Sequence, residues 1–196
     1  MQGMTGTAPT LIDAIWPRQS GGIVRTALLA VLGSILMALS ARTQVPMWPV
    51  PMTMQTFAVL VIGMAYGYRL AGATLLLYLA EGAVGLPVFA SGGGIAYFAG
   101  PTTGYLVGFL VAAVFVGWLG EKGWDRSVPL TFIAMLGGTA IIFMLGVAWL
   151  SVFLNDVQAA FVNGFTPFIV GAFVKIALAA AVLPVVWRVA IGKRGV

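Results

Sequence analysis

The chain contains no cysteine and no histidine, and only 8% of its 196 residues are charged. Without cysteine it can form neither a disulfide framework nor a thiolate metal site. Without histidine it lacks the commonest general base and the commonest metal ligand. These absences argue against a metalloenzyme and against histidine-dependent catalysis, so we predict no metal site and no catalytic residues.

The scarcity of charge also indicates the solvent. Soluble domains carry about 25% charged residues, whereas this chain is 61% hydrophobic and has a mean hydropathy of +1.05. With so little polar surface, we predict an integral membrane protein. Long uninterrupted apolar stretches favour an all-α bundle over barrel strands, which alternate with period two, and therefore a cell (inner) membrane.

The apolar stretches predict six membrane spans. A polar lead segment, residues 1–22, precedes a single membrane domain, residues 23–196. A spanning helix needs about 20 mainly apolar residues, and six segments approach that length: 23–41, 52–66, 69–84, 101–120, 128–150 and 166–190. The second and third meet at the turn Gly67–Arg69, which predicts a tight hairpin. Ala38–Ser40 resembles a signal-peptidase site, but the long polar lead favours a retained first helix over a cleaved signal.

Lysine and arginine are distributed unevenly between the two predicted sides. With the N-terminus inside, the outer side holds Arg42 and the inner side holds Arg18, Arg25, Arg69, Lys122, Arg126, Arg188, Lys193 and Arg194. This positive-inside bias predicts that both termini are cytoplasmic. The net charge of +5 thus reflects topology, and the scattered basic residues do not form the clustered face of a nucleic-acid-binding protein.

One basic residue, Lys175, lies inside a predicted span. It is about nine residues from the start of the sixth helix, which at 1.5 Å per residue is roughly 14 Å into a ~30 Å hydrocarbon core. An unpaired ammonium there costs at least about 3 kcal/mol, so it marks a functional site by default. An anionic ligand would satisfy it. The alternative is an internal ion pair with Glu81, which is also compatible with a ligand site if Glu81 neutralises the empty pocket.

Small and polar residues recur beside Lys175. Asn163, Pro167, Gly171 and Lys175 are spaced by four, which predicts one stripe on the sixth helix. Gly171 leaves room one turn from the ammonium, either for a small molecule or for close packing of another helix. The spacing does not decide between the two.

The outer connection between the third and fourth spans is rich in glycine and aromatic residues. Irregular backbone at membrane depth is tolerated where it is buried in protein or lines a cavity. Gly92–Gly94 would let backbone amides approach a ligand, and Tyr97 and Tyr105 would add amphipathic walls. We predict that this connection is a lid over a pocket whose floor contains Lys175. An ordinary connector is the alternative.

Ala30, Ser34 and Ala38 repeat every four residues in the first span and make a groove for another helix, within this bundle or on a separate membrane subunit. The chain has no GxxxxGK[ST] phosphate loop and no serine–acid–base constellation. A binding device is therefore favoured. A self-sufficient transporter or channel, and a membrane enzyme using Glu81 and Lys175, are the rival functions.

Three segments in register resemble the BioY family: VPMTMQTFAVLVIG (50–63), GLPVFASGGGIAYFAGPTTGYLVGF (85–109) and GFTPFIVGAFVKIALAAAVLP (164–184). That family comprises the biotin-binding substrate components (S-components) of energy-coupling-factor (ECF) transporters. The resemblance implies a six-helix subunit that captures biotin from outside. It also implies a membrane coupling protein and two cytosolic ATPases that bind the ATP, so the chain itself is expected to need no cofactor.

The resemblance also implies roles for individual residues. Lys175 would anchor the carboxylate of biotin, with Ser91, Tyr97 or Tyr105 near the ureido ring and Gly93 among the other residues that bind the ligand. The first-helix residues Ala30, Ser34 and Ala38 would dock the coupling protein. The sequence departs from the family pattern at Ala172, where an aspartate is usual, and at PTTGY in place of PTGGY. Either the role of that acid is dispensable in this chain, or it is supplied by a group such as Gln55, Ser91, Asn163 or Glu81.

Overall fold

The computed structural model describes residues 9–17 and 22–192, and most of this length is helical. The helices are α1 (Leu11–Ile15), α2 (Gly22–Arg42), α3 (Gln55–Tyr66), α4 (Tyr68–Ala83), α5 (Thr103–Glu121), α6 (Val128–Leu154), α7 (Val157–Gly164) and α8 (Ile169–Gly192). Short 3-10 segments lie at Ile95–Ala99, Trp124–Arg126 and Thr166–Phe168. Strands β1 (Gln44–Val45) and β2 (Met52–Thr53) form an antiparallel ribbon. The all-α class is confirmed.

Several of these helices are suited to a membrane. In the described part of the chain, four segments are long and apolar enough to cross it: Gly22–Arg42, Thr103–Glu121, Val128–Leu154 and Val157–Ala190. Helices α3 and α4 have 12 and 16 residues, fewer than the roughly 20 that span a bilayer unaided. The predicted multi-pass membrane protein fits these helices, and the count of six spans stays a prediction.

Helix α5 lies at the centre of the bundle because its glycines let neighbouring backbones approach. A Cβ added at Gly117 would lie 2.6 Å from the backbone nitrogen of Tyr68, and one at Gly108 would lie 3.0 Å from the Cα of Ile142. Small residues at such crossings are the usual means of packing helices in lipid. They bring α4 and α6 against α5, and the cavity described below opens beside the start of α5.

The turn between α3 and α4 is a single residue, Gly67. Its φ of 77° lies in the left-handed region that favours glycine. A Cβ there would also lie 2.5 Å from the Glu121 side chain and 2.9 Å from that of Thr10. The predicted turn is therefore even shorter than Gly67–Arg69, since α4 already begins at Tyr68.

The small-residue stripe of α2 packs inside this chain. Ser34 is 1% exposed and Ala30 is 7% exposed, while Ala38 packs against the buried core. A Cβ on the neighbouring Gly33 would lie 2.6 Å from the Thr74 side chain of α4. Of the two interpretations of the stripe, the structure supports packing within the bundle. The docking of a partner through Ala30, Ser34 and Ala38 stays a prediction, which the burial of Ala30 and Ser34 does not favour.

The described part of the lead segment folds against one end of the bundle. Arg25 in α2 donates to the backbone oxygens of Trp16 and Ile12, at 2.6 and 3.2 Å, and pairs with Asp13 at 3.0 Å. At the same end Arg126 donates to the oxygen of Pro9. Short helix α1 is thereby held to the membrane domain. The other basic residues of the termini, Arg18, Lys193 and Arg194, lie outside the described residues.

The predicted span 166–190 corresponds to the 3-10 segment Thr166–Phe168 and α8, and a separate helix, α7, precedes it. Asn155, with a φ of 51°, ends α6, and the Asp156 side chain accepts from the backbone nitrogen of Ala159 to cap α7. Helix α7 then stops at Gly164, and α8 begins at Ile169. Asn163 therefore does not share a helical stripe with Lys175, and that prediction was wrong. Asparagine and aspartate, which favour helix boundaries, mark the break between α6 and α7.

Asp125 yields a test of stability at the α1 end. It is fully buried, accepts a hydrogen bond from the Trp187 indole nitrogen, and its Oδ1 has no partner among the described residues. Burial raises the pKa of the Asp125 carboxyl, and the Trp187 bond opposes the rise. Since the folded state binds the proton more tightly, this contribution to stability is fully present below the unfolded pKa of about 3.9 and is lost as pH rises through the folded pKa.

We therefore expect Asp125→Asn, which keeps an oxygen for Trp187, to raise the thermal unfolding midpoint in detergent at neutral pH. The gain should shrink toward pH of about 4, where the wild-type carboxyl is protonated. A lower midpoint at neutral pH, or an equal shift at both pH values, would contradict this account of Asp125.

Candidate functional site

A mostly apolar cavity lies between β2, α3, residues 84–102, α5, α6 and α8. We call residues 84–102 the outer loop, after the side on which the sequence predicts them. Counted with its open mouth, the cavity contains about 700 Å³ of space. Its aromatic walls are Tyr97, Tyr105, Phe109, Phe143 and Phe168. Its polar groups are Thr53, Gln55, Thr56, Thr102, Thr139 and Lys175. Apolar walls with a few fixed polar groups are typical of sites for small molecules.

Lys175 supplies the positive charge of this cavity. Its half-buried ammonium donates to the backbone oxygen of Thr53 at 2.5 Å and to the Thr56 hydroxyl at 3.1 Å. These bonds use two of its three protons, and no described carboxylate forms an ion pair with it. The charge is oriented by β2 and α3 but not neutralised, which leaves it available to an anionic group in the cavity.

Glu81 lies away from Lys175. Its carboxylate accepts a hydrogen bond from the Ser34 hydroxyl of α2, and Glu81 is not among the residues that line the cavity. The alternative of a Glu81–Lys175 ion pair is therefore wrong. The reason is the rotation of the two helices: Glu81 is on the face of α4 that meets α2, whereas Lys175 is on the face of α8 that meets α3.

The glycines of the outer loop are used to fold the loop itself. The backbone nitrogen of Gly94 donates to the oxygen of Gly82 at 2.7 Å, and Phe89 and Gly92 form an isolated antiparallel bridge. A Cβ on Gly93 would overlap the backbone oxygen of Leu86. Gly93 therefore packs on the loop, and it is not among the residues that line the cavity. The loop reaches the cavity through Ala90, Tyr97 and Thr102.

The Tyr105 ring lines the cavity while its hydroxyl points away from it. The hydroxyl donates to the backbone oxygen of Gly164 at 2.7 Å. A Cβ on Gly146 would overlap the ring, so this glycine of α6 makes the space that the ring fills. Tyr105 thus ties α5 to the end of α7 and contributes an apolar wall.

Comparison with known proteins identifies the family. The model of the BioY family matches residues 9–191. The biotin transporter BioY of Thermotoga maritima is 34% identical over 160 residues, which are 81% of this chain and 94% of that protein. The probable biotin transporter BioY of Pyrococcus horikoshii is 37% identical over 152 residues, or 77% of this chain and 89% of that protein.

The chain belongs to the BioY family. Its fold agrees, because it superimposes with a TM-score of 0.77 on the crystal structure, at 2.1 Å, of the S-component for biotin from an ECF-type ABC transporter. That alignment covers 87% of this chain and 95% of the other, at 22% sequence identity. The resemblance drawn from the three sequence segments is confirmed.

The fold of this BioY protein brings together some of the predicted site residues and separates others. Lys175, Gln55, Tyr97 and Tyr105 line the cavity. Gly93, Asn163, Gly171, Ser91 and Glu81 do not. Ser91 is exposed on the outer loop, and Asn163 donates to the oxygen of Ala159 within α7.

The region of Gly171 is filled by protein. A Cβ there would lie 3.1 Å from the sulfur of Met52 in β2. Of the two interpretations of this glycine, close packing describes the structure, although the neighbour is the β-ribbon rather than a helix. Ala172, where the family pattern has an aspartate, does line the cavity.

Sequence reasoning missed the threonines of the cavity. Thr53 and Thr56 orient the Lys175 ammonium, and Thr102 and Thr139 lie on other walls. The two former residues fall within the segment 50–63, which carried part of the family resemblance. The two threonines of this segment were thus the available signal, but nothing in it predicted contact with a helix more than 100 residues away.

Proposed function

We propose that this chain is the biotin-binding S-component of an ECF transporter, which captures biotin from the outer side of the cell membrane and delivers it inward. The relatives named as biotin transporters support this, as does membership of a family of transporter components rather than enzymes. The observation that carries the proposal is Lys175: an ammonium without a carboxylate partner among the described residues lies in an apolar cavity.

The chemistry of biotin matches the cavity part by part. Its carboxylate would pair with Lys175, replacing water around the third proton of the ammonium. Its apolar rings and chain would pack against the aromatic walls, including Tyr105 and Phe143. Its ureido group both donates and accepts, which suits the Gln55 amide and the Tyr97 hydroxyl. Ser91 is no longer a candidate for this role, because it lies on the exposed surface of the loop.

Binding by the purified protein tests the proposal. In detergent the full chain should bind biotin, and lipoate should compete poorly. Lipoate is the matched control because it also carries a carboxylate on an apolar chain but has no ureido group. Binding of lipoate in preference to biotin, or of neither, would overturn the assignment of biotin.

We further propose six membrane-crossing segments with both termini in the cytoplasm of the cell. The distribution of charge supports this: Arg25 and Arg126 lie at the α1 end. The exposed Arg69 is in the first turn of α4, close to Gly67, which packs beside Thr10. Arg42 lies at the other end, where it donates to the oxygen of Pro87 in the outer loop. Helices α3 and α4 are shorter than a helix that spans a bilayer unaided. Each of them would cross where other parts of the protein surround it.

The absence of cysteine makes this topology testable without removing native thiols. Ser91→Cys should react with a membrane-impermeant maleimide on intact spheroplasts. Arg69→Cys, on an equally exposed residue, should react only after the membrane is permeabilised. Labelling of Arg69→Cys on intact cells, or protection of Ser91→Cys there, would refute the proposed orientation.

The partners implied by the family complete the proposal. Because the sequence contains no phosphate-binding loop, uptake would need ATP hydrolysis by two cytosolic ATPases, coupled through a second membrane protein. Accumulation of biotin should then depend on supplying these partners in a host that lacks them. Full accumulation by this chain alone would favour the self-sufficient transporter instead.

A further inference from the structure

One wall of the cavity is tied to the outer loop by a chain of buried hydrogen bonds. The Gln55 amide nitrogen donates to the Tyr78 hydroxyl at 2.7 Å, and this hydroxyl donates to the backbone oxygen of Val88 at 3.0 Å. On the other side, the Thr53 hydroxyl donates to the Gln55 amide oxygen at 3.2 Å. Gln55 lines the cavity, whereas Tyr78 is completely buried in α4 and does not.

The direction of this chain fixes which way the Gln55 amide points. A backbone oxygen only accepts hydrogen bonds, so the Tyr78 proton must point to Val88. The Tyr78 oxygen is then an acceptor, and only the nitrogen side of the amide can face it. The opposite side, the amide oxygen, faces Thr53. One N–H and one lone pair of Gln55 remain unused by these contacts.

The Val88 end of this series of hydrogen bonds is held in place by the packing of the outer loop against α4. Next to Val88, the fully buried Phe89 ring lies against Tyr78, with ring centroids 5.3 Å apart, and against Tyr97 at 4.8 Å. A Cβ on Gly82 would overlap the Phe89 ring, so the ring fills a notch in α4 that requires glycine. The position of the Val88 oxygen thus depends on Phe89 remaining in this notch.

We propose that Tyr78 is a positioning residue for ligand recognition: it relays the seated position of the outer loop to the Gln55 amide. The amide, held in one orientation, recognises a ligand group that offers both an N–H and a carbonyl oxygen, such as a cyclic urea or an amide. This inference rests on the proposed function, in which the ligand is biotin. It gives a function to Tyr78, which does not line the cavity but orients a residue that does.

The test uses Tyr78→Phe in the purified full chain, with biotin and with 2-iminobiotin, in which the ureido oxygen is replaced by an imino group. We expect roughly tenfold weaker binding of biotin, since one hydrogen bond of the relay is lost, and a smaller preference for biotin over 2-iminobiotin. In a Gln55→Met background, Tyr78→Phe should have no further effect. Tyr66→Phe, which removes a half-buried hydroxyl outside the cavity, is the matched control.

A second variant perturbs the same series of hydrogen bonds from the side of the outer loop. Gly82→Ala substitutes no residue that lines the cavity but displaces Phe89. Because Phe89 also supports the Tyr97 ring, the variant is made in a Tyr97→Phe background, where it should still reduce the same preference. This variant keeps the inference testable if Tyr78→Phe does not fold. An undiminished preference for the ureido ligand in the folded variants would overturn it. So would weakening that is equal for both ligands and adds to that of Gln55→Met, because that pattern indicates a merely structural role.

The failure of the inference and that of the proposed function are distinguishable. If wild-type protein does not bind biotin, the proposed function fails and the relay has no such ligand to recognise. If wild type binds biotin and prefers it to 2-iminobiotin, while Tyr78→Phe behaves like wild type, only the relay is wrong.

Discussion

Lys175→Met should weaken biotin binding by roughly tenfold to more than a hundredfold, because a charge-assisted hydrogen bond to the ligand contributes about 1.5–3 kcal/mol. The fold should survive the change. Methionine has a similar length, and the substitution removes a charge whose presence in a membrane interior costs at least about 3 kcal/mol. The ligand-free variant is therefore expected to unfold at the same temperature as wild type or at a higher one.

This combination of lost affinity and retained stability separates a ligand anchor from a structural cation. Isothermal titration and thermal unfolding of the same detergent preparation measure both quantities. Lys122→Met is the matched control, since the Lys122 ammonium lies at the surface, 3.5 Å from the ring centroid of Trp118. Unchanged affinity in Lys175→Met, or a marked loss of stability without ligand, would contradict the role assigned to Lys175.

Phe89→Ala should give the largest loss of stability among changes in the outer loop. Removing a fully buried phenylalanine ring costs about 3–5 kcal/mol when the site cannot collapse around it. Here the ring fills the notch at Gly82 and contacts the rings of Tyr78, Tyr97 and Phe98. We expect a lower thermal midpoint, and also faster dissociation of biotin, because Tyr97 and Ala90 lose their support at the cavity wall.

The control for this change is Phe153→Ala. Phe153 is in α6 and is 45% exposed on the surface that would face lipid, so losing its ring removes few contacts within the protein. Thermal unfolding and dissociation of labelled biotin should both distinguish the two variants. If Phe89→Ala released ligand at the wild-type rate, the loop would not act as a wall of the site.

Much of the fold was predictable because membrane helices are encoded by composition. The apolar run of α2 was predicted as 23–41 and found at Gly22–Arg42, and the run of α5 was predicted as 101–120 and found at Thr103–Glu121. The connection after α6 was harder to predict from the sequence, because α7 is apolar like the helices on either side of it. Its boundaries depend on the local geometry of Asn155 and Asp156 rather than on hydropathy.

Lys175, the cation of the site, was predictable from the sequence, but the residues that contact it were not. Lys175 stood out because charge is expensive in lipid. Glu81 was assigned to it as a possible partner because spacing along a helix does not reveal how two helices are rotated relative to each other. The same limitation hid Thr53 and Thr56, whose contact with Lys175 depends on how β2 and α3 pack against α8.

The outer loop illustrates the converse problem. Its glycines suggested amides free to approach a ligand, yet Gly94 and Gly93 serve contacts with Gly82 and Leu86. The residue that fixes the loop against α4 is Phe89, whose buried ring requires the notch at Gly82. A glycine in α4 and a phenylalanine in the loop form one fitted contact, which neither residue indicates alone.

The most direct test of the central claim compares biotin with its neutral methyl ester in wild-type protein and in Lys175→Met. If the Lys175 ammonium holds the ligand's carboxylate, wild type should bind the acid much more tightly than the ester, and Lys175→Met should bind the two about equally. An equally large preference for the acid in both proteins would show that another group holds the carboxylate and would contradict the account.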